Sequence, residues 1–278
     1  MKLTFLGTGA AEGVPSPFCD CPTCIFARIY GGKNIRRRQS VLINDNLLVD
    51  IGPDLFVSCA QLGVTLLSLE GVLVTHNHLD HFAPANLTLR AKPFRLATEL
   101  PDIAVVAGPS VWAAWDAGGG SDHGAGIRRM PILPGRTVRL PSYSIEAIEA
   151  SHNMRVGDAM NYIVKAGDAA LLYASDTGLY AEHVWEKLKG HYFDAVVMEG
   201  TILTRSSGRE HLNRDDFGLM LAKLRGIGAI DDSSVIAATH FSHQGVNSFE
   251  ETEAIVKELG AICAYDGLVL EILGAPNP

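Results

Sequence analysis

Short apolar runs rich in valine, isoleucine, leucine and alanine recur along the chain at 3–6, 41–43, 47–49, 72–75 and 103–107. A second set follows at 144–149, 162–165, 170–174, 195–198, 235–238 and 269–273. Runs of this length, bounded by polar or glycine-containing stretches, predict strands. Apolar residues return every three or four positions over 181–188, 215–224 and 249–259, the period of helices. The mixture predicts an α/β fold in which two mixed sheets are sandwiched between helices, αββα, in a single domain over 1–278. No repeat of fixed period is present, although each half supplies strands. The one low-complexity stretch, DAGGGSDHGAG at 116–126, reads as a surface loop or a lid beside a site.

The apolar pattern is interrupted most sharply at GVLVTHNHLDH, where a strand runs into His76, His78, Asp80 and His81. Imidazole and carboxylate are the side chains that first-row divalent metals prefer, and neutral histidine binds near pH 7 at little protonation cost. In a loop after a strand, His76 and His78 can face one way and Asp80 and His81 another, so one run can serve two ions. The spacing is not that of the helical HExxH motif, which gives two histidines to a single zinc. Six residues cannot fill two coordination spheres. The strand ends of the second half offer more donors: His152 after YSIEAIEAS, Asp176 after AALLYAS and His240 after SSVIAAT.

THNHLDH with the later His152, Asp176 and His240 resembles the metallo-β-lactamase superfamily of binuclear hydrolases. The likeness runs over nearly the whole chain, from LGTGAAEG at 6–13 through LLVDIG around Asp50. It implies one ion on His76, His78 and His152, a second on Asp80, His81 and His240, and Asp176 as the bridge, with Asp80 also counted among the catalytic residues. Asp50 would orient the ligand loop from behind. The two ions would be Mn²⁺ or Zn²⁺.

Cys19, Cys21 and Cys24 crowd into FCDCPTC, and such crowding favours zinc over a disulfide. Three thiolates leave a closed tetrahedron one donor short, and Cys59 and Cys263 sit in apolar surroundings. His243, three residues after His240, is available. Within the superfamily, a CxCxxC knuckle with a histidine at that spacing is similar to the phosphoribosyl 1,2-cyclic phosphate phosphodiesterases of phosphonate degradation, which supports a structural zinc on Cys19, Cys21, Cys24 and His243. The pyrroloquinoline-quinone biosynthesis protein B family carries a like knuckle. Gly7, Gly9 and Gly13 miss the dinucleotide fingerprint by one position, and Pro15, Pro17 and the cysteines follow where that motif would open a helix.

Two ions can activate water but give no proton to a leaving oxygen, and His211 in SSGREHLNRDDF is the best remaining candidate for that role. The resemblance places a histidine about a dozen residues beyond an acidic segment, here VMEGT with Glu199. His123, His183 and His191 read as surface residues. With 23 basic against 31 acidic residues, a net charge of −8, the chain does not look like a nucleic-acid binder. Bound cations would still make a pocket locally positive for a small phosphate ester. Arg36 to Arg38 read as a solvated surface run or as a contact to substrate phosphate.

No apolar stretch approaches a membrane span and the start of the chain is no secretory signal, so the expectation is a cytoplasmic enzyme whose thiols stay reduced. The function expected is a binuclear metal-dependent phosphodiesterase. Its favoured substrate is phosphoribosyl 1,2-cyclic phosphate, its partner a small phosphodiester and not nucleic acid or membrane, and a homodimer stays open. A thioester or lactam hydrolase and a protein like the quinone-biosynthesis B family are the alternatives.

Overall fold

The chain alternates between strands that pair locally and strands that cross over. In a computed structural model that describes residues 1–96, 99–206 and 208–274, the first half gives β1 (Lys2–Gly7), β2 (Ser40–Ile43), β3 (Leu47–Val49), β4 (Gly71–Leu73), β5 (Ile103–Ala107) and β6 (Ile127–Pro131). The second half gives β7 (Thr137–Arg139), β8 (Ser144–Glu149), β9 (Met160–Ala166), β10 (Ala169–Ala174), β11 (Ala195–Glu199), β12 (Val235–Thr239) and β13 (Ile262–Cys263), before β14 (Val269–Glu271) returns to the first sheet. The two sheets have seven strands each, ordered β14-β1-β2-β3-β4-β5-β6 and β13-β12-β11-β10-β9-β8-β7.

Both sheets are built alike. One side is an antiparallel meander, β14 to β3 and β7 to β10, and the other is parallel, β3 to β6 and β10 to β13. The facing surfaces bury Leu3, Phe5, Val41, Tyr162, Leu171 and Val197 in a shared core. Helices Leu55–Leu62 and Pro109–Ala117 cover the outer face of the first sheet, and Glu182–Leu188, Arg214–Gly226 and Phe249–Glu258 that of the second. The result is the expected αββα layering. Parallel strands place their carboxyl ends on one edge, where ligand sites form. Here β3, β4, β10, β11 and β12 all end on the candidate centre.

Three strands escaped the pattern. β6 reads IRRMP, β7 reads TVR and β13 has two residues, so each lies at or near a sheet edge with too little apolar sequence to stand out. The 116–126 segment lies at the surface as expected, but much of it is helical and it stands away from the cleft. It finishes helix Pro109–Ala117 and forms the short helix Asp122–Ala125, tied down by Arg129 to Asp116 and Asp122 and by the Trp115 indole to Asp122. None of its residues lines the metal-centre cleft. Among the described residues no helix is long and apolar enough to cross a membrane.

Candidate metal centre

Three of the side chains at the centre sit on backbone that L-residues rarely adopt: Asp50 at φ 63°, Asp176 at φ 49° and His240 at φ 58°. Each follows the end of a strand, β3, β10 or β12. Such backbone costs on the order of 1–3 kcal/mol per residue and persists where the surroundings over-determine it, most often at functional sites. The turn it makes swings each side chain off the strand and toward a common point.

Two groups of donor atoms meet there. His76, His78, His152 and Asp176 form one, and Asp80, His81, Asp176 and His240 the other, with the donor atoms of each group all within 4.8 Å of one another. In the first, His76 Nε2 lies 2.8 Å from His78 Nδ1 and 3.4 Å from Asp176 Oδ2. His152 Nε2 lies 3.3 Å from His78 Nδ1 and 3.7 Å from Asp176 Oδ2. In the second, His81 Nε2 is 3.1 Å from Asp80 Oδ2, 2.8 Å from Asp176 Oδ2 and 3.3 Å from His240 Nε2.

Ligands held about 2.0–2.1 Å from a tetrahedral ion stand about 3.4 Å from one another, so both groups have the spacing of a coordination shell. Asp176 Oδ1 is also buried without a hydrogen-bond partner. His240 Nδ1 is 2.9 Å away but is engaged by Thr201 Oγ1 at 2.8 Å. An orphaned buried carboxylate oxygen among imidazoles calls for a cation. The residues present fit divalent metal.

The layer behind the donors fixes which ring nitrogen faces inward. Asp50, fully buried, accepts from the Thr75 amide at 2.8 Å and the Thr75 hydroxyl at 3.0 Å, and lies 2.7 Å from His81 Nδ1. His81 is left presenting Nε2. The Thr75 hydroxyl does the same for His76 Nδ1 at 3.0 Å, and the Glu210 carbonyl accepts from His152 Nδ1 at 3.2 Å. Thr75 and Thr201 went unnoticed in the sequence, where a hydroxyl beside a strand end is an ordinary residue.

Burial and the neighbouring rings His81, His152 and His78 hold the His76 pKa well below its usual value, and burial with His152 lowers that of His78. His81 and His240 go the other way. Burial opposes their charged forms, but Asp80, Asp50 and Asp176 raise His81 well above its usual range, and Asp176 with Asp80 takes His240 to about 10. The carboxylates thus favour positive charge at this point, the charge a divalent ion would supply.

His211 joins the centre from the loop before helix Arg214–Gly226. Its Nδ1 is 2.9 Å from Glu199 Oε1, and its ring lies 5.0 Å from that of His152 and 6.0 Å from that of His240. Glu199, fully buried at the end of β11, accepts from the backbone amides of Thr177 and Thr201. Burial would lower the His211 pKa, but the Glu199 carboxylate and then Asp176 raise it. A cleft of about 350 Å³ opens over the group, lined by His78, Asp80, His152, His211 and His240 together with Glu12.

The cysteines form a separate group. Cys19, Cys21, Cys24 and His243 bring their donor atoms within 4.8 Å of one another, His243 Nδ1 being 3.6 Å from Cys19 Sγ and 3.3 Å from Cys21 Sγ. None of the five cysteines is in a disulfide. Cys21 caps helix Pro22–Tyr30, with Pro22 in its first turn, and Arg28 reaches back to the Cys19 and Ser16 carbonyls, which folds the knuckle. Burial would raise the Cys21 pKa, but hydrogen bonds from the Cys24 amide, His243 and Cys19 take it to about 6. Burial and the neighbouring thiols push Cys24 up to about 12. Cys21→Ser should therefore lose one tightly held zinc and lower Tm, by about 2–4 °C for each kcal/mol removed from a chain of this size. Elemental analysis beside calorimetry checks it, and an unchanged zinc count would refute the site.

The arginine run is tied into the fold and does not stand free in solvent. Arg36 is buried, stacks over the Phe241 ring at 4.3 Å and donates to Thr8 Oγ1 and the Ala264 carbonyl. Arg37 pairs with Asp266 and Arg38 with Asp54, and none of the three lines the cleft. His183 is exposed beside Glu149, His191 stacks on Phe193 and His123 lies in the Asp122–Ala125 helix. All three are outside the centre.

The family profile described as beta-lactamase superfamily domain matches residues 45–260. Among curated proteins, coenzyme PQQ synthesis protein B of Methylobacterium nodulans is 27% identical over 227 residues, 73% of this chain and 74% of that protein. An octanoyltransferase of Porphyromonas gingivalis is 35% identical over 85 residues, but the match spans only 29% of this chain and 16% of that protein. Among solved structures, a diphosphatase of the PhnP family superposes with a TM-score of 0.73 at 20% identity, covering 97% of this chain and 96% of the other. Zinc-bound PqqB from Methylobacterium extorquens gives 0.74 at 18%, covering 98% and 100%. Likenesses at that identity concern the fold. With the profile matched over most of its length, the chain belongs to the beta-lactamase superfamily and has the metallo-β-lactamase fold.

Proposed function

We propose that the protein is a binuclear metal-dependent phosphodiesterase acting on a compact cyclic phosphodiester, with phosphoribosyl 1,2-cyclic phosphate the favoured substrate. The observation that carries this reading is the His211–Glu199 pair at the edge of the two donor groups. Divalent ions held there would activate water as nucleophile and neutralise charge on the phosphate oxygens. Asp50, Thr75 and Thr201 keep the ligand imidazoles in one orientation, so the groups are arranged before substrate arrives. His211 Nδ1 is turned to Glu199, which leaves Nε2 without a hydrogen bond among the described residues and free to carry a proton at the cleft. As water adds to phosphorus and the phosphorus–oxygen ester bond breaks, that proton passes to the departing alkoxide.

An alkoxide is a poor leaving group and gains most from protonation, whereas a thiolate leaves unaided, so the pair favours an oxygen ester over a thioester. A cleft of about 350 Å³ in a chain of net charge −8 suits a compact anion neutralised locally by metal, not a long polyanion. The fold likeness to a PhnP-family diphosphatase supports the same choice. The second reading, a role like that of coenzyme PQQ synthesis protein B, rests on the curated relative. The test is a panel on metal-loaded protein: ribose cyclic phosphates, 2′,3′-cyclic nucleotides, bis(p-nitrophenyl) phosphate, a thioester, a lactam and precursor tRNA at physiological salt. The highest kcat/KM should fall on the ribose cyclic phosphates. Preference for the thioester, the lactam or tRNA would replace the reading, and no turnover of any substrate would favour the PQQ-type role.

A further inference from the structure

We infer that Glu12 is the residue that reads the sugar: a fixed carboxylate in the cleft that accepts a hydrogen bond from a hydroxyl of the diester's alcohol portion. The inference rests on the phosphodiesterase reading above and deepens it.

The glycine loop after β1 places Glu12. A Cβ on Gly7 would fall 2.0 Å from the Arg38 carbonyl oxygen, and one on Gly9 would fall 2.9 Å from that of Arg36, so only glycine lets the loop press against the 36–38 segment. Two backbone bonds then lace it to the segment carrying His240: the Ala10 amide donates to the Phe241 carbonyl at 3.0 Å, and the Phe241 amide to the Thr8 carbonyl at 2.9 Å. The loop tip becomes a wall of the cleft. Glu12 stands in that wall and is the one carboxylate lining the cleft besides Asp80 and Asp176. It belongs to neither donor group of the centre.

The side chain is held by one oxygen and open at the other. Ser242 Oγ donates to Oε1, and His243 Nε2 lies 3.3 Å from the same atom. The opposite nitrogen of His243 faces the cysteines, so the ring carries its proton toward Glu12. Oε2 has no hydrogen-bond partner among the described residues, and the side chain is 26% exposed. An anchored carboxylate with a free oxygen takes a donor and repels a second anion. On a cyclic sugar phosphate, the donors next to the scissile group are ring hydroxyls. Once bound substrate covers the cleft, an acceptor placed for a hydroxyl disfavours the analogue lacking it, because the acceptor then loses water without gaining a partner.

The test compares ribose 1,2-cyclic phosphate with ethylene phosphate, a cyclic diester without hydroxyls. In the wild type, kcat/KM should favour the ribose compound. In Glu12→Ala the ratio of the two values should fall by about 10- to 150-fold, the worth of a hydrogen bond to a charged group, with zinc content unchanged. Glu12→Gln keeps an acceptor oxygen and should restore part of the ratio, and it carries the comparison if the alanine variant loses zinc. Equal loss on both substrates, or an unchanged ratio, would overturn the role of Glu12 and leave the phosphodiesterase reading standing. A wild-type enzyme inactive on both diesters would instead overturn that reading, and this inference with it.

Discussion

Asp176→Asn should lower kcat/KM on a phosphodiester by about 10⁴-fold or more and reduce bound divalent metal at the histidine–aspartate centre. Asp176 is the one residue shared by both donor groups, and its Oδ2 lies between 2.8 and 3.7 Å from nitrogens of His81, His76 and His152. Asparagine keeps the shape but removes the charge that offsets two cations. The interaction at risk is worth several kcal/mol of charge stabilisation, at about 1.4 kcal/mol per tenfold in rate. The cysteine site is built from other residues, so its zinc should remain. Elemental analysis with steady-state kinetics reads both effects, and a variant that keeps full metal and full activity would remove Asp176 from the centre.

The second large effect belongs to His211→Ala, for which turnover should drop by about 10²–10⁴-fold with metal content intact. The deficit should depend on the leaving group. p-Nitrophenolate needs little protonation, so bis(p-nitrophenyl) phosphate should lose much less than a sugar cyclic phosphate. Glu199→Gln removes the charge that raises the His211 pKa and should show the same leaving-group dependence in weaker form. Uniform losses across leaving groups would argue that His211 positions substrate and does not deliver a proton.

The donors were legible because strand ends announce themselves. An apolar run that stops at His76, Asp176 or His240 marks the side chain on the carboxyl edge of a sheet, whatever the order of the strands. Which donors share an ion was not in the spacing, since His152 and His76 are far apart in sequence, and it came from family resemblance. The second layer was hidden for a related reason. Glu199 serves His211 from a different strand end, and Thr201 serves His240 from the next loop, contacts that exist only once β11 and β12 pair in parallel. The arginines misled because charge suggests solvent, whereas Arg36 is held inside by a carbonyl, a hydroxyl and the face of Phe241. The glycine loop was legible as the opening loop of the family and not as a nucleotide motif, but its role in shaping the cleft was not. Its contacts show a tight turn against 36–38 that sets one wall of the cleft.

The most direct measurement of the central claim is a metal titration of chelator-stripped protein, following kcat/KM on ribose 1,2-cyclic phosphate against ions bound per chain. With the cysteine site filled first, the account predicts that activity rises with occupancy and saturates when two further ions are bound. Saturation at one further ion, or hydrolysis that persists with the histidine–aspartate centre empty, would contradict it.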